Sequence, residues 1–467
     1  MSVILGFSNT HNGSVALISD GKVRSAIQAE RISRKKRQVL PLGEETKLVH
    51  KCVNYCLKAS GFKYQDIEAV ALSTPWDQKR INNTDIFKYI GGIPNNYSQT
   101  FYVPHHLSHM EYIAHYGDLR PGIILVIDGS GSLETNRPIF NIEEKYHHEI
   151  INYTHFCGKE VISAYWFDGV SSSLIYRFSP SIAPGDQCNF HSSKFLQSIG
   201  HYWEWASLYC CGSSHAAGKV MGLAGFGDKC EIDQSNILSI SNRGEIKLDF
   251  KEINKRYKEV NIFGSDLSNS KHHQNLALKV QKETENTILK LLAILKEKHP
   301  TDTLYLSGGV ALNVVANERI KNSNLFKNII LNGSVEDNGT AIGAGLAASL
   351  QLGCKRKTSH ITDYYGRKYS HNEIIEIVKK YNFPYKVCDK NELCKYASEF
   401  IRKDKIFAWF QGRSEFGPRA LGNRSIFANP VSQKTKYVLD HYMKCRDRYR
   451  PYAPVVIEEK ADVYFDI

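Results

Sequence analysis

The chain has 467 residues, 42% hydrophobic and 23% charged, with 60 Lys and Arg against 48 Asp and Glu for a formal net charge of +12. That balance is ordinary for a soluble globular protein long enough for two or three domains, and it excludes a disordered or collagen-like chain. With no run of 18 apolar residues, no transmembrane helix is expected.

Ser2–Phe7 reads as an apolar strand with no basic leader or cleavage pattern before it, so a cytoplasmic protein is expected. Val3–Phe7, Ser14–Ser19 and Val23–Glu30 form a predicted β-meander, its second turn marked by Asp20-Gly21. The basic run Ser33–Gln38 reads as a solvated loop. Helices are expected over Glu45–Ser60 and about His106–His115. Gly122–Ile127 is a continuous apolar strand ending in Asp128-Gly129-Ser130-Gly131, with further strands expected near Pro138–Ile142 and Ile150–His155. Two such strand–turn–strand units suggest an internal duplication. A long helix follows over Leu276–Lys298, then a buried strand, Leu304–Leu306, running into the glycine turn Ser307–Asn313. Asp337–Leu350 reads as a small-residue helix packed closely on a neighbour. A composition shift at Cys354–Arg367 marks a domain boundary. Beyond it come helices over Asn372–Tyr381 and Lys390–Lys403 and a strand at Ile406–Phe410.

That strand leads into QGRSEFGPRALGNRS (Gln411–Ser425), where arginines stand among glycines. Residues 401–450 carry twelve Lys and Arg against four Asp and Glu, about two-thirds of the net charge of the chain. Arginine forks on stiff, glycine-punctuated backbone make a receptor for phosphate or carboxylate oxygens. No helix-turn-helix, zinc-finger or RNP-like signature accompanies the charge, so small polyanions suit it better than nucleic acid. The eleven cysteines include no CxxC pair and read as reduced core thiols.

His105 and His109 are spaced i, i+4 and share a face if the segment is helical, as a divalent metal requires; His106 points elsewhere, as a core or outer residue. Asp128 ends a buried strand and Asp337 opens the Gly/Ala helix, and strand ends in an α/β protein converge on one crevice. Two His and two Asp suit iron, zinc or manganese. The glycine turns Phe7–Gly13, Asp128–Ser132 and Ser307–Asn313 offer unhindered backbone N–H groups to phosphate or adenosine. His11 reads as a general base, a substrate hydrogen-bond partner or a turn residue. Lys219 reads as a phosphate contact or a solvated helix-start lysine, and Asp228 as a hold on a substrate hydroxyl or a turn cap.

HHLSH, VIDGSG, GKVMGLAGFG, LSGGVALN, EDNGTAIGAG, FQGRSEFGPRALGNRS and KCRDRYRPYAP occur in that order. From Ile4 to about Phe465 the chain thereby resembles the NodU/CmcH/TobZ family of O-carbamoyltransferases. The resemblance implies an α/β fold: a duplicated RNase H-like (ASKHA, actin-like ATPase) domain similar to TsaD over 1–355, then a partial α+β YrdC-like domain over 356–467. It implies that carbamoyl phosphate is converted with ATP to carbamoyladenylate and pyrophosphate at the second domain. The first would then pass the carbamoyl group to a hydroxyl beside bound iron.

Carried over by motif, the metal ligands are His105, His109, Asp128 and Asp337. The nucleotide lies against Gly129, Gly131, Gly308, Gly309, Asn313 and Lys219. His11 and Asp228 serve the acceptor hydroxyl, and Arg419, Arg424, Lys444, Arg446 and Arg450 grip carbamoyl phosphate and ATP. Fe2+ or another divalent metal, ATP and Mg2+ are the implied cofactors. The implied partners are carbamoyl phosphate, ATP and a hydroxyl-bearing small molecule, sugar or nucleotide, with a homodimer plausible and neither membrane nor nucleic acid expected. The family pattern is broken at Asn12, Ser132 and Ala217. It also continues past the RPYAP motif, so the second module is expected to be C-terminally incomplete. Alternative readings are a regulatory ATP-binding ASKHA protein and a tRNA threonylcarbamoyl-transferase-like protein.

Overall fold

Every residue of the strand Val3–Ser8 (β1) is buried, so its sheet must be covered on both faces. The computed structural model describes residues 2–40, 46–74, 99–132, 151–154, 158–180, 187–190, 193–257, 270–357 and 362–465. In it β1 pairs antiparallel with Ser14–Ser19 (β2), which pairs antiparallel with Lys22–Gln28 (β3). The two-residue turn between β2 and β3 has φ of 51° at Asp20 and 73° at Gly21, the doubly positive pattern that matches the twist of a hairpin. On its other side β1 runs parallel to Ala69–Thr74 (β4), and β4 parallel to Gln99–Pro104 (β5), in the order β3-β2-β1-β4-β5.

The second sheet repeats this plan. Its strands are Gly122–Ile127 (β6), Ile151–Thr154 (β7), Ile162–Phe167 (β8) and Ser172–Ser179 (β9). Two small hairpins follow, Gln187–Phe190 (β10) with Ser193–Leu196 (β11) and Leu238–Ile240 (β12) with Ile246–Leu248 (β13). The sheet is completed by Thr303–Ser307 (β14) and Asn328–Ile330 (β15), in the order β15-β14-β6-β8-β9-β7. β8 and β9 continue from β6 by antiparallel pairing and β14 and β15 by parallel pairing. Apart from the extra edge strand β7, the two sheets have one topology.

The expected duplication is therefore present, but its second meander lies elsewhere. The strand expected near Pro138–Ile142 falls outside the described residues, and the one near Ile150–His155 is the edge strand β7, parallel to β9. The meander strands are β8 and β9. They flank Asp168-Gly169, a dipeptide signal of the same kind as Asp20-Gly21, with Gly169 at φ 97°.

Two helices, His105–Ala114 and Thr340–Gln351, form a middle layer between the sheets. Leu107, Met110, Ile113, Ile342, Ala344 and Ala347 pack with Ile4, Ile18 and Ala71 of one sheet and Ile124, Val126 and Tyr305 of the other. Glycine permits this contact. A Cβ on Gly343 would stand 1.7 Å from the Ser108 carbonyl oxygen, and one on Gly6 would stand 2.0 Å from that of Ala341. Outside the first sheet lies the helix Thr46–Ser60, whose Cys52 and Cys56 are buried and unpaired. Burial pushes the Cys52 thiol up to about 12, which keeps it a thiol. Outside the second sheet lie Ile199–Cys211, Ala217–Ala224 and Lys271–Lys298.

The C-terminal region holds the helices His371–Lys380 and Lys390–Arg402, neither with a buried residue, and the hairpin Phe407–Phe410 (β16) with Arg424–Phe427 (β17). Among the described residues no helix is long and apolar enough to cross a membrane.

Gly343→Ala is expected to destabilise the fold by about 1–3 kcal/mol, the usual cost of forcing extra volume into a packed interior. Thermal unfolding checks it: an unchanged midpoint would contradict the helix contact.

Candidate metal centre and its surroundings

His105 and His109 lie on one face of the first turns of the helix His105–Ala114, all ten residues of which are buried. The Ser132 hydroxyl accepts the His105 backbone N–H at 3.0 Å, which ties that helix start to the turn after β6. Asp128 ends β6, and its Oδ1 accepts the Gly309 N–H at 3.2 Å. Gly308, at φ 90°, sits so close to β6 that a Cβ would be 2.2 Å from the Ile127 carbonyl oxygen. Asp337 opens the short turn leading into Thr340–Gln351, and its carbonyl accepts the Ser8 hydroxyl at 3.1 Å. The two sheets and the middle layer thus each hold part of one cluster.

One ligand atom from each of His105, His109, Asp128 and Asp337 lies within 4.8 Å of the others. His105 Nε2 is 3.2 Å from Asp128 Oδ2 and 3.3 Å from Asp337 Oδ1, and His109 Nε2 is 3.7 Å from Asp337 Oδ1. Ligands about 2.1 Å from one first-row ion are about 3.0–3.4 Å apart, close to this spacing. All four residues are buried, and among the described residues His109 Nε2 has no hydrogen-bond partner.

Charge makes the same case. Two buried carboxylates less than 5 Å apart repel by about 3–4 kcal/mol at an effective dielectric near 20. Burial alone would strip the His105 proton, but Asp337 and Asp128 hold it, up to about 10. Burial pushes Asp337 up too, yet His105, His109 and His11 drive it well below the ordinary carboxylate value. A positive charge belongs here, and a divalent ion can replace the imidazole proton. The residues fit a metal.

At the mouth, His11 Nδ1 is 3.5 Å from Asp337 Oδ2 with 46% of its side chain exposed. Two carboxyls to which the sequence reading assigned no role stand there as well, Glu336 at the head of the EDNGTAIGAG motif and Glu204 outside every motif. Burial and then the Asp128 charge push Glu204 up to about 7, while burial and Asp337 do the same to Glu336, with Arg37 opposing both. Glu336 adjoins the predicted ligand Asp337, so its neighbourhood was readable. Glu204 lies inside an unremarkable helix.

The other predicted site residues divide. Gly129 is crossed so tightly by the helix Ile199–Cys211 that a Cβ on Gly200 would meet its Cα at 2.5 Å, and the Gly131 N–H donates to the Glu160 carbonyl at 2.6 Å. Asn313 caps the helix Val314–Asn322 by accepting the Ala316 N–H, and its amide also donates to Gln281. Asp228 accepts the Cys230 N–H in a turn, and Lys219 pairs with Asp447 at 3.0 Å.

In the arginine stretch, the Arg413 guanidinium donates to the carbonyls of Gly366, Tyr365 and Arg24, pinning the region to β3. Arg424 donates to the carbonyls of Gln411 and Asn423 and lies 3.4 Å over the Phe410 ring. Arg446 donates to the carbonyls of Arg450 and Pro451 over Tyr452. Glu415 organises the turn, one oxygen accepting the N–H groups of Leu421, Asn423 and Arg424. Among the described residues, the head groups of Arg419, Lys444 and Arg450 make no side-chain hydrogen bond or close ion pair, although the Arg419 charge works against the burial that raises the Glu336 carboxyl.

A family model described as the carbamoyltransferase N-terminus matches residues 3–98 and 95–346, and one described as the carbamoyltransferase C-terminus matches 398–467. The nodulation protein NolNO of Sinorhizobium fredii is 26% identical over 486 residues, covering 98% of this chain and 64% of that protein. The 3'-hydroxymethylcephem-O-carbamoyltransferase of Streptomyces clavuligerus is 28% identical over 256 residues, covering 54% of this chain and 46% of that enzyme. The chain thus spans less than two-thirds of the length of either. Among solved structures, full-length HypF in its phosphate- and nucleotide-bound form aligns with a TM-score of 0.45 at 14% identity, covering 75% of this chain and 56% of that one.

Anaerobic reconstitution with Fe(II) followed by elemental analysis should find one ion per chain, and His109→Ala should lose it; full occupancy in the variant would refute the cluster. Glu415→Gln should weaken the turn by about 2 kcal/mol, the scale of hydrogen bonds to a charged group. Tryptic cleavage after Arg419, followed by peptide mapping, should accelerate accordingly.

Proposed function

The chain belongs to the carbamoyltransferase family, and from that premise we propose that it is an ATP-dependent O-carbamoyltransferase. Residues 1–355 form an ASKHA/TsaD-like transfer domain and 356–467 a YrdC-like activation module. Carbamoyl phosphate, water and ATP yield carbamoyladenylate, phosphate and pyrophosphate at the activation module. The transfer domain then moves the carbamoyl group to a hydroxyl of a small molecule, sugar or nucleotide and releases AMP. The observation that carries the reading is the convergence of His105, His109, Asp128 and Asp337 beside the Gly308–Gly309 turn, with His11 at the mouth.

Those four residues would hold Fe2+ or a similar divalent ion, which when bound polarises a carbonyl oxygen as a Lewis acid. The remaining work falls to the chain. Gly129, Gly131, Gly308 and Gly309 would line the adenylate by close backbone approach rather than by free donors, since the N–H groups of Gly131, Gly308 and Gly309 already bond Glu160, Val335 and Asp128, with Lys219 and Asn313 at the border. Asp337 beside His11 Nδ1 favours the imidazole proton there and leaves Nε2 as the base. The proton of the acceptor hydroxyl passes to that nitrogen as the acceptor oxygen bonds to the carbamoyl carbon. The bond from that carbon to the adenylate oxygen breaks, and AMP departs. Asp228 helps to hold the acceptor. In the activation module Arg419, Lys444 and Arg450 receive the phosphates, while Arg424 and Arg446 shape the backbone around them; Mg2+ accompanies the ATP. Such chemistry needs positioning and charge stabilisation above all.

With Fe(II)-loaded protein, pyrophosphate release from ATP should require carbamoyl phosphate. Arg419→Ala should slow it by about tenfold or more, the effect of one lost charged contact of about 1.4 kcal/mol. His109→Ala should leave it intact while removing the metal. Absence of carbamoyl phosphate-dependent release from the loaded protein would overturn this reading and leave the regulatory ATP-binding and the tRNA threonylcarbamoyl-transferase-like readings.

A further inference from the structure

The basic run after β3 is largely exposed, as expected of a solvated loop, yet one of its side chains makes a directed contact with a distant part of the chain. Arg37 has a positive φ of 57°, rare for a residue with a side chain, and its backbone N–H donates to Glu30 Oε2 at 3.0 Å. Its guanidinium crosses to the loop between the helices Ile199–Cys211 and Ala217–Ala224. There Nη1 stands 3.0 Å from His215 Nδ1 and Nη2 donates to the His215 carbonyl at 3.2 Å. Arginine stays protonated and accepts nothing, so Nδ1 is the acceptor and His215 carries its proton on Nε2. Burial, Arg37 and His11 all push the His215 imidazole down from its ordinary value, which agrees with that neutral form. The His215 ring lies nearly parallel to His11, 15° between planes and 5.8 Å between centroids. His11 in turn faces Asp337.

Arg37 belongs to the half of the molecule built on the first sheet and His215 to the half built on the second. Their contact therefore bridges the two lobes at the mouth of the metal cluster. We propose that Arg37 and His215 form a latch that joins the lobes over His11, holds its imidazole beside the cluster and shields the transferring carbamoyl group from water. This rests on the transfer reading above. Neither residue touches the four ligand side chains, so both are positioning residues. An open latch would let water take the place of the acceptor: carbamoyladenylate and water give AMP and carbamic acid, which breaks down to carbon dioxide and ammonia.

The geometry is tested first without any chemistry. Diethylpyrocarbonate labelling of the full chain, read by peptide mapping, should modify His11 at least about fivefold faster in Arg37→Ala and His215→Ala than in the parent. Exposed His371 serves as internal control and should not change. The double variant should be no faster than either single one, the mark of a shared contact. Arg37→Lys, which keeps one donor, should fall between and guards against misfolding of the alanine variants. The second readout is ammonia released per pyrophosphate from carbamoyl phosphate and ATP with no acceptor added, which should rise in both alanine variants. Unchanged His11 labelling overturns the latch. Faster labelling with an unchanged ammonia ratio overturns its shielding role. If even the parent releases no pyrophosphate, the transfer reading fails while the His11 rates still decide the latch.

Discussion

The approach of the helix Thr340–Gln351 to the helix His105–Ala114 is the constraint on which the rest of this structure depends. With Gly343 set against the Ser108 carbonyl, the two helices lie close enough to share one layer between two sheets. That layer carries His105 and His109 at the start of one helix and Asp337 just before the other. Asp128 arrives from the end of the central strand of the second sheet, locked by the Gly309 N–H. A side chain at position 343 would push the helices apart and separate the four clustered residues. Packing in the middle layer and geometry at the cluster are one problem.

Burial then turns that geometry into a demand for positive charge. Two carboxylates and two imidazoles closed off from water are stable only if a proton or a cation sits among them. The same negative potential reaches the mouth, where Glu204 and Glu336 are both raised to about 7. Arg37 is the cation that opposes both. The four clustered side chains and the ionisable rim are thus electrostatically one unit.

The arginine stretch shows how little a charge count says about the use of each charge. Arg413, Arg424 and Arg446 spend their donors on backbone carbonyls, fixing a loop that has little regular secondary structure. Glu415 does the complementary work for the N–H groups of the same loop. Arg419, Lys444 and Arg450 are instead presented by a backbone that other arginines have stiffened, and are the three assigned to the phosphates in the proposed function.

Much was legible in the residues alone wherever a local rule suffices. The i, i+4 histidines share a face because a helix repeats every 3.6 residues, and a continuous apolar run ending in Asp-Gly is a buried strand ending at a turn. Asp20-Gly21 marked its hairpin; Asp168-Gly169 carried the same signal for β8 and β9, although the expected meander lay upstream of it. The family was carried by ordered motifs along nearly the whole chain. Tertiary structure alone decided the partners of the long polar side chains. Arg37 meets a histidine 178 residues away, Glu204 reaches the mouth from inside a helix, and Arg424 meets carbonyls and an aromatic face. Such contacts depend on how two lobes and several loops close on one another. No local periodicity encodes that closure, because a guanidinium or carboxylate on a flexible stem can satisfy itself in many places until the surrounding backbone leaves it one.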